Sequence, residues 1–196
     1  MAVVYRPTTN FSCTIVIGTY GTNEWSELAR DSAVPNAIAQ GNAEVVHVHG
    51  GTLAAARNAA VQEASGEWIV TLDADDELSE GYCDAILAAD GDLRAPALHL
   101  IYPDKVVVPD LAGRDIERTN PCCIGTAIRR GMFLAIGGFP ELAGWEDWAV
   151  YLRAVRRGAR LTHVPEAIYQ AHVRPGSRNQ SVPDAGDLYR HIRAWA

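Results

Sequence analysis

Short apolar runs alternate with segments of helical periodicity through the first 90 residues of the chain. The apolar runs predict three strands, and side chains spaced three and four positions apart between and after them predict three helices. The strands are predicted at 13–19, 44–49 and 68–72, and the helices at 23–33, after a Thr52 cap, and after a Ser79 cap. Two successive β-α-β units favour a parallel sheet covered by helices.

The second half of the chain is less regular. Four further strands and three helices are predicted, separated by a polar loop at 109–121. The strands lie at 95–102, 105–108, 122–128 and 159–164, and the helices at 131–136, 147–157 and about 184–196. The pattern therefore indicates an α/β protein with a mostly parallel central sheet.

Length and composition fit a globular protein of one domain, because 196 residues with 48% hydrophobic and 21% charged side chains can build a full core. No apolar run approaches about 20 residues, and the N-terminus lacks the pattern of a signal peptide, so a soluble cytoplasmic protein is expected. The net charge of −7 argues against broad binding to nucleic acid. The four cysteines lack zinc-site spacing and are expected to be buried free thiols.

The strand at 68–72 leads directly into four acids: Asp73, Asp75, Asp76 and Glu77. Ligands bind beyond the carboxyl ends of strands in open α/β sheets, so these carboxylates lie where a ligand is expected. Oxygen ligands of this kind suit Mg²⁺ or Mn²⁺, which commonly hold substrate phosphates as well. The alternative is a solvated acidic turn, and for Glu77 an acid favoured by the start of a helix.

Five short segments together resemble family 2 glycosyltransferases of the GT-A fold. In order they are Gly18-Thr19-Tyr20-Gly21, Ala56-Arg57-Asn58, Leu72-Asp73-Ala74-Asp75-Asp76, Ile136-Gly137-Gly138-Phe139 and Trp145-Glu146-Asp147-Trp148. The resemblance covers roughly residues 12–181. It implies a single Rossmann-like GT-A domain, with a nucleotide-binding half at about 12–90, an acceptor and catalytic half at about 91–181, and a C-terminal helix at about 184–196.

The resemblance implies a donor site for a nucleotide-diphosphate sugar and a divalent cofactor, Mn²⁺ or Mg²⁺. Asp73 would bind the ribose or sugar, and Asp75 would be a metal ligand. Thr19 and Tyr20 would line the pocket for base and ribose, with Arg57 near the nucleotide. For Tyr20 the alternative is an aromatic side chain at the edge of the core.

One position departs from the family pattern. The family carries an acid pair at the end of the second predicted strand, one member of which reads uracil, whereas this chain has His49-Gly50-Gly51. A neutral His49 can accept one hydrogen bond, so UDP stays the default donor nucleotide. The alternative is a structural histidine. His47 is not assigned to the site.

In the catalytic half the resemblance makes Asp147 the general base of an inverting transfer. Glu146 would bind the acceptor or orient the base, and Trp145 would form an apolar platform for a sugar ring. His172 is matched to a histidine that reaches the metal or diphosphate in relatives. Arg174 and Arg178 would close over the diphosphate, and the alternative for both is a solvated loop arginine.

Three other functions compete with this interpretation. A phosphohydrolase of the haloacid-dehalogenase type also has D-x-D after a strand, but it wants Thr where this chain has Glu77. A nucleotidyltransferase lacks support because its Gly-rich N-terminal loop and Lys are absent. An inactive module that binds sugar nucleotides or glycans is the third. The acceptor, whether glycan, protein, lipid headgroup or nucleobase, is not identified by the sequence.

Overall fold

The computed structural model describes residues 2–8, 10–174 and 184–196. Within these ranges it contains nine strands and seven helices. The strands are β1 (Ala2–Tyr5), β2 (Cys13–Tyr20), β3 (Ala43–Gly50), β4 (Trp68–Thr71), β5 (Glu77–Leu78), β6 (Leu93–Ile101), β7 (Val106–Val107), β8 (Ala127–Arg129) and β9 (Leu161–His172). The helices are α1 (Asn23–Asp31), α2 (Ala33–Ala39), α3 (Leu53–Glu63), α4 (Tyr82–Ala88), α5 (Arg130–Ala135), α6 (Glu146–Arg156) and α7 (Ala185–Trp195).

The described strands form one sheet in the order β1-β3-β2-β4-β8-β6-β9-β5, with β7 attached to β6. The two longest ladders, β2 with β3 and β6 with β9, are parallel, as is the pair of β2 with β4. The short strands β1, β5, β7 and β8 pair antiparallel with their neighbours. The sheet is therefore mixed, with the predicted parallel pairing in its long ladders.

Helices cover both faces of the sheet, and each face has its own apolar core. On one face α3, α6 and α7 bury residues such as Ala60, Leu152 and Ile192. On the other face α1, α2 and α4 bury Ala29, Val34 and Tyr82. Burial on both faces explains why β2 and β4 read as continuous apolar runs rather than as alternating patterns.

Close packing of α3 on β2 requires a glycine at position 18. A Cβ atom built there would lie 2.6 Å from Arg57 Cγ and 2.9 Å from its backbone nitrogen. Gly18 thus lets α3 approach the end of β2, and that approach places Arg57 beside the carboxyl ends of the parallel strands.

The first half agrees closely with the sequence prediction. The Thr52 hydroxyl caps α3 by accepting from the Ala55 backbone N–H at 3.1 Å, as predicted. The four cysteines are buried and free, also as predicted. In the residues that the structure describes, no helix has the length and apolar character needed to cross a membrane.

Four predictions were wrong in detail. Ser79 does not cap α4, which begins after Gly81 in a left-handed conformation. Glu77 is not at a helix start but in β5, opposite Gln170 of β9. The strand predicted at 159–164 runs on to His172 as β9, and residues 122–126 precede β8 without strand pairing. The added length of β9 follows from its parallel ladder with β6, which single-sequence periodicity does not reveal.

Candidate active site

Arg57 of α3 lies at the centre of the candidate site and is only 2% exposed. Its Nη1 donates to Glu146 Oε1 at 2.6 Å, and its Nη2 donates to Asp73 Oδ1 at 2.5 Å. One planar guanidinium therefore joins the acidic segment after β4 to the first turn of α6. The structure thus brings together three of the segments on which the family resemblance depends.

The surroundings of Arg57 keep it charged. Burial lowers the pKa of its guanidinium, but the charges of Asp73 and Glu146 outweigh burial and raise that pKa above its ordinary value. The guanidinium also lies 5.4 Å from the centre of the Phe139 ring. Its Nε is buried without a hydrogen-bond partner in the described structure. A fixed cation is therefore held between two acids, with part of its donor capacity unused.

Asp76 ties the end of β9 to the acidic segment. Its Oδ2 accepts from the Tyr169 hydroxyl at 2.8 Å and its Oδ1 accepts from the His172 backbone N–H at 2.9 Å. Burial, with the charges of Asp73 and Asp75, raises the pKa of Asp76 to about 8. Because both oxygens already have partners, Asp76 has a clear role in holding β9 in place.

Asp75 is more accessible than Asp76 and lies close to His172 and Arg174. Its Oδ2 is 3.4 Å from Arg174 Nε. Burial and the charge of Asp73 raise the pKa of Asp75, whereas Arg174 and His172 lower it. The structure thus places Arg174 at the acidic segment. Arg178 lies outside the described residues.

The side chains of Asp75, Asp76 and His172 have some, but not all, of the features of a divalent cation site. Among the described residues His172 Nε2 is buried without a hydrogen-bond partner, and Glu77 Oε1 lies 3.9 Å from it. Burial and the charge of Asp73 raise the pKa of Asp75, and burial with the charges of Asp73 and Asp75 raises the pKa of Asp76, as expected of crowded carboxylates. Within the described ranges, however, no group of three His, Cys, Asp or Glu is arranged to hold a metal ion. The residues fit an ion that takes few protein ligands and completes its shell with phosphate and water.

A histidine pair shares one hydroxyl at the ends of β2 and β3. Thr19 Oγ1 lies 3.0 Å from His47 Nε2 and 3.0 Å from His49 Nδ1. Burial lowers the pKa of His47, and Arg30 and His49 lower it further, so His47 is neutral at pH 7. His47, which sequence reasoning left outside the site, is therefore linked to His49 through the Thr19 hydroxyl. Tyr20 follows at the end of β2 and is 39% exposed.

Trp145 precedes α6 with a φ of 54°, the only positive φ of a non-glycine residue in the described chain. A bulky residue held in this region costs about 1–3 kcal/mol and persists only where its surroundings fix it. Its ring lies 6.1 Å from that of Trp148, and its side chain is partly exposed. Glu146 and Asp147 follow in the first turn of α6.

Asp147 is partly buried, and its pKa is raised to about 6. Burial and the neighbouring charge of Glu146 raise it, whereas the Trp148 backbone N–H, Arg57 and Asn120 lower it. Asn120 Nδ2 donates to Asp147 Oδ2 at 3.0 Å. A carboxylate with a pKa near neutrality is suited to accept a proton in a reaction at physiological pH.

Sequence reasoning missed two asparagines that support this arrangement. Asn58 pins the Gly137-Gly138-Phe139 turn, because its Nδ2 donates to the Phe139 carbonyl at 2.9 Å and its Oδ1 accepts from the Phe139 N–H at 2.8 Å. Asn120 lies in the loop at 109–121, which the sequence marked only as polar. The A-R-N segment contained a signal for Asn58, but nothing in the pattern singled out Asn120.

Residues 22–98 match the sequence profile of glycosyl transferase family 2. Among solved structures, S. aureus TarS 1–349 in complex with UDP-GlcNAc aligns with a TM-score of 0.65 and 16% identity, covering 93% of this chain and 64% of that one. GalNAc-T7 with UDP, GalNAc and Mn²⁺ aligns with a TM-score of 0.60 and 15% identity, covering 95% of this chain and 48% of that one. No curated protein sequence matches the chain.

These comparisons confirm the predicted resemblance to family 2 glycosyltransferases, through the match over residues 22–98, and the predicted GT-A fold. The chain spans about 64% of the TarS 1–349 structure that it matches. At 15–16% identity the structural likeness concerns the fold. The roles of individual residues have to be argued from the site itself.

Proposed function

We propose that the protein is a metal-dependent, inverting glycosyltransferase that moves a sugar from a nucleotide diphosphate to an acceptor hydroxyl. The observation that carries the proposal is the double ion pair of Arg57, which holds Asp73 and Glu146 on either side of one buried cation. Asp73 belongs to the predicted donor side and Glu146 to the predicted acceptor side. A transferase must hold these two sides in register, since the sugar passes directly between them.

The donor half of the proposal assigns the nucleotide to the carboxyl ends of β2, β3 and β4, within about residues 12–90. Thr19, Tyr20 and His49 would contact base and ribose, and Asp73 would contact the ribose or sugar. UDP is the default nucleotide because a neutral His49, held at Nδ1 by Thr19, can offer Nε2 as an acceptor to uracil N3–H. The UDP complexes of the TarS and GalNAc-T7 structures support this choice.

The proposed cofactor is Mn²⁺ or Mg²⁺, held by Asp75 and His172 together with the diphosphate. When bound, such an ion stabilises the negative charge of the departing diphosphate as a Lewis acid. His172 Nε2, which has no hydrogen-bond partner among the described residues, and the raised pKa of Asp75 support its binding here. The Mn²⁺ in the GalNAc-T7 structure supports the same class of ion. Arg174, beside Asp75, would add a positive charge on the diphosphate side.

The acceptor half assigns Asp147 as the general base. Its carboxylate takes the proton of the acceptor hydroxyl while the acceptor oxygen forms a bond to the anomeric carbon of the sugar. The bond from that carbon to the diphosphate oxygen breaks on the opposite face, and its electron pair leaves with the nucleotide. Attack opposite the leaving group inverts the anomeric configuration. Glu146 binds Arg57 and would orient this turn, and the exposed part of the Trp145 ring would support a sugar.

An inactive module that binds sugar nucleotides is the competing function. The departure from the family's acid pair, where this chain has His49-Gly50-Gly51, favours it. The intact pair of Glu146 and Asp147, with a pKa of about 6 for Asp147, favours an enzyme.

Thermal-shift screening of UDP-, GDP-, CDP- and TDP-sugars with and without Mn²⁺ identifies the donor, because a ligand that binds the native state raises its melting temperature. Sugar release from that donor is then measured with water alone and with glycan, protein and lipid acceptors. Transfer or hydrolysis that requires Asp147 supports an enzyme. Tight donor binding with no sugar release, either in water alone or with any of the acceptors, would show a binding module instead.

A further inference from the structure

The Asn120 side chain spans a gap between the loop at 109–121 and the first turn of α6. Its Nδ2 donates to Asp147 Oδ2 at 3.0 Å, and its Oδ1 accepts from the Cys122 backbone N–H at 3.1 Å. The second bond fixes the orientation of the amide, because a backbone N–H cannot pair with an NH₂ group. The NH₂ group must therefore face Asp147, which receives a donor of defined geometry.

The loop that carries Asn120 is anchored on both sides by α6 itself. Trp148 Nε1 donates to the Ile116 carbonyl at 2.8 Å, before Asn120 in the chain. The Tyr151 hydroxyl donates to the Ile124 carbonyl at 3.0 Å, after it. Both anchors come from the helix that begins with Asp147. The distance between Asn120 and its carboxylate is thus set by a single rigid element.

The terminal helix adds a third anchor at Glu117. The Tyr189 hydroxyl and Arg193 Nη1 of α7 donate to the Glu117 carbonyl at 2.8 and 2.7 Å. The Glu117 carboxylate also accepts from Arg156 of α6, at 2.8 and 2.9 Å. A loop that the sequence marks only as polar is therefore fixed by two helices, α6 and α7, close to Asn120.

We propose that Asn120 is a positioning residue, which donates to one oxygen of the Asp147 carboxylate and so holds that carboxylate in the ionised form that takes the proton of the acceptor hydroxyl. The inference rests on the proposed role of Asp147 as general base. An amide that donates to one oxygen stabilises the charged form, and it leaves the other lone pairs of the carboxylate available for the proton.

Other groups that face Asp147 also affect its ionisation, some opposing it and some favouring it. Glu146 of the same turn opposes its ionisation, and Arg57 of α3 favours it. The thiols of Cys122 and Cys123 and the hydroxyl of Tyr151 also lie close enough for the Asp147 charge to raise their pKa. All three are neutral at pH 7, so they do not set the charge of Asp147. Among the neutral side chains around Asp147, Asn120 donates a hydrogen bond to it.

The test is a direct titration of Asp147 by carbon-13 NMR of aspartate carboxyl groups. The Asp147 resonance is assigned by its loss in Asp147→Asn. In Asn120→Ala the apparent pKa of Asp147 should rise by about one unit, since a hydrogen bond to a charged group has this effect. In Asn120→Asp, which keeps the shape and the Cys122 bond, the rise should be larger because two carboxylates then face each other.

Asn42→Ala is the matched control, because Asn42 donates to Asp84 in a similar Asn–Asp pair elsewhere on the surface. It should leave the Asp147 titration unchanged. Unchanged titration in both Asn120 variants, with native melting temperatures, would overturn the proposal. If the titration moves but no donor sugar is transferred or hydrolysed by the native protein, Asn120 still positions Asp147 and the proposed function fails separately.

A pH–rate profile separates an effect on the ionisation of Asp147 from a general loss of structure. The acidic limb of the pH profile for sugar release from the identified UDP-sugar should move to higher pH in Asn120→Ala. Its plateau above pH 8 should stay within about threefold of native, because Asp147 is ionised there in either protein. A uniform loss at every pH would indicate a structural role and would contradict the proposal.

Discussion

Arg57 Nη1 lies 2.6 Å from Glu146 Oε1, in a buried ion pair between residues 89 positions apart in the chain. The pair joins α3, which packs on the nucleotide-side strands, to α6, which carries Asp147. Because the same guanidinium binds Asp73, the two halves of the site share one cation. Changes at Arg57 should therefore affect both fold stability and function.

Replacing Arg57 by Met should lower the free energy of unfolding by about 3–5 kcal/mol, since it leaves Glu146 and Asp73 without their shared cation. Arg57→Lys should cost less but should still impair activity, because an ammonium cannot reproduce the planar fork of donors. Urea denaturation measures the free energy of unfolding of both variants, and an assay of sugar transfer measures their activity. Arg190→Met is the control, since Arg190 pairs with Asp187 on the surface and should cost under about 1 kcal/mol. A loss for Arg57→Met as small as that of the control would show that the pair contributes little.

Binding of UDP should depend on a divalent metal through Asp75 and His172. Asp75→Asn and His172→Ala should each reduce the gain in UDP affinity that Mn²⁺ provides, by roughly 10–100-fold, whereas affinity in EDTA should change little. Calorimetry with and without Mn²⁺ measures this. Asp84→Asn, on the first turn of α4, is the control. Equal UDP affinity of the native protein in Mn²⁺ and in EDTA would remove the metal from the proposed site.

Selectivity for the nucleobase should depend on the hydroxyl that His47 and His49 share. Thr19→Val removes that hydroxyl and should weaken UDP binding and blur the preference for UDP over CDP, GDP and TDP, whereas Thr19→Ser retains the hydroxyl and should stay near native. His49→Ala should resemble Thr19→Val. A panel of nucleotide affinities measures the effect. If His49→Ala leaves all four affinities unchanged, the base is read elsewhere and His49 is structural.

The sequence predicted the first three parallel strands and α3 well, because buried strands and an Ala-rich helical stripe depend on local pattern. It did not predict β1, nor the full length of β9, because both exist through pairing with strands distant in the chain. The contact of Thr19 with His47 was hidden for the same reason. Asn120 could not be singled out, since one amide in a polar loop becomes meaningful only when folding brings Asp147 within 3.0 Å.

Protein stability should reflect the raised pKa of Asp147. That pKa is about 6 in the folded protein against an ordinary 3.8, so between these values the folded state keeps a proton that the unfolded chain has lost. Its contribution to the free energy of unfolding is present below pH 3.8 and is lost as the pH rises through 6. Between pH 5 and 8 the decline should be about 1 kcal/mol. Urea denaturation at several pH values should show this decline in the native protein and not in Asp147→Asn. If the free energy of unfolding of the two proteins depends on pH in the same way, the prediction is contradicted.

Asp147→Asn should separate donor binding from transfer. Donor affinity should stay near native, because the proposed nucleotide and metal contacts come from β2, β3, β4 and β9. The transfer rate should fall by roughly 10²–10⁴, the usual contribution of a positioned base. Asp187→Asn, the same change in the first turn of α7, is the matched control and should leave the rate unchanged.

The stereochemistry of the product provides an independent test of Asp147, because direct attack aided by one base gives a product of the opposite anomeric configuration to the donor. Donor binding, transfer rate and product configuration by NMR should be measured with native protein and with Asp147→Asn. A mutant that transfers sugar at the native rate, or a native product of retained configuration, would remove Asp147 from this role. Loss of donor affinity in the mutant would instead place the Asp147 carboxylate in the donor pocket, where it would help bind the sugar rather than activate the acceptor.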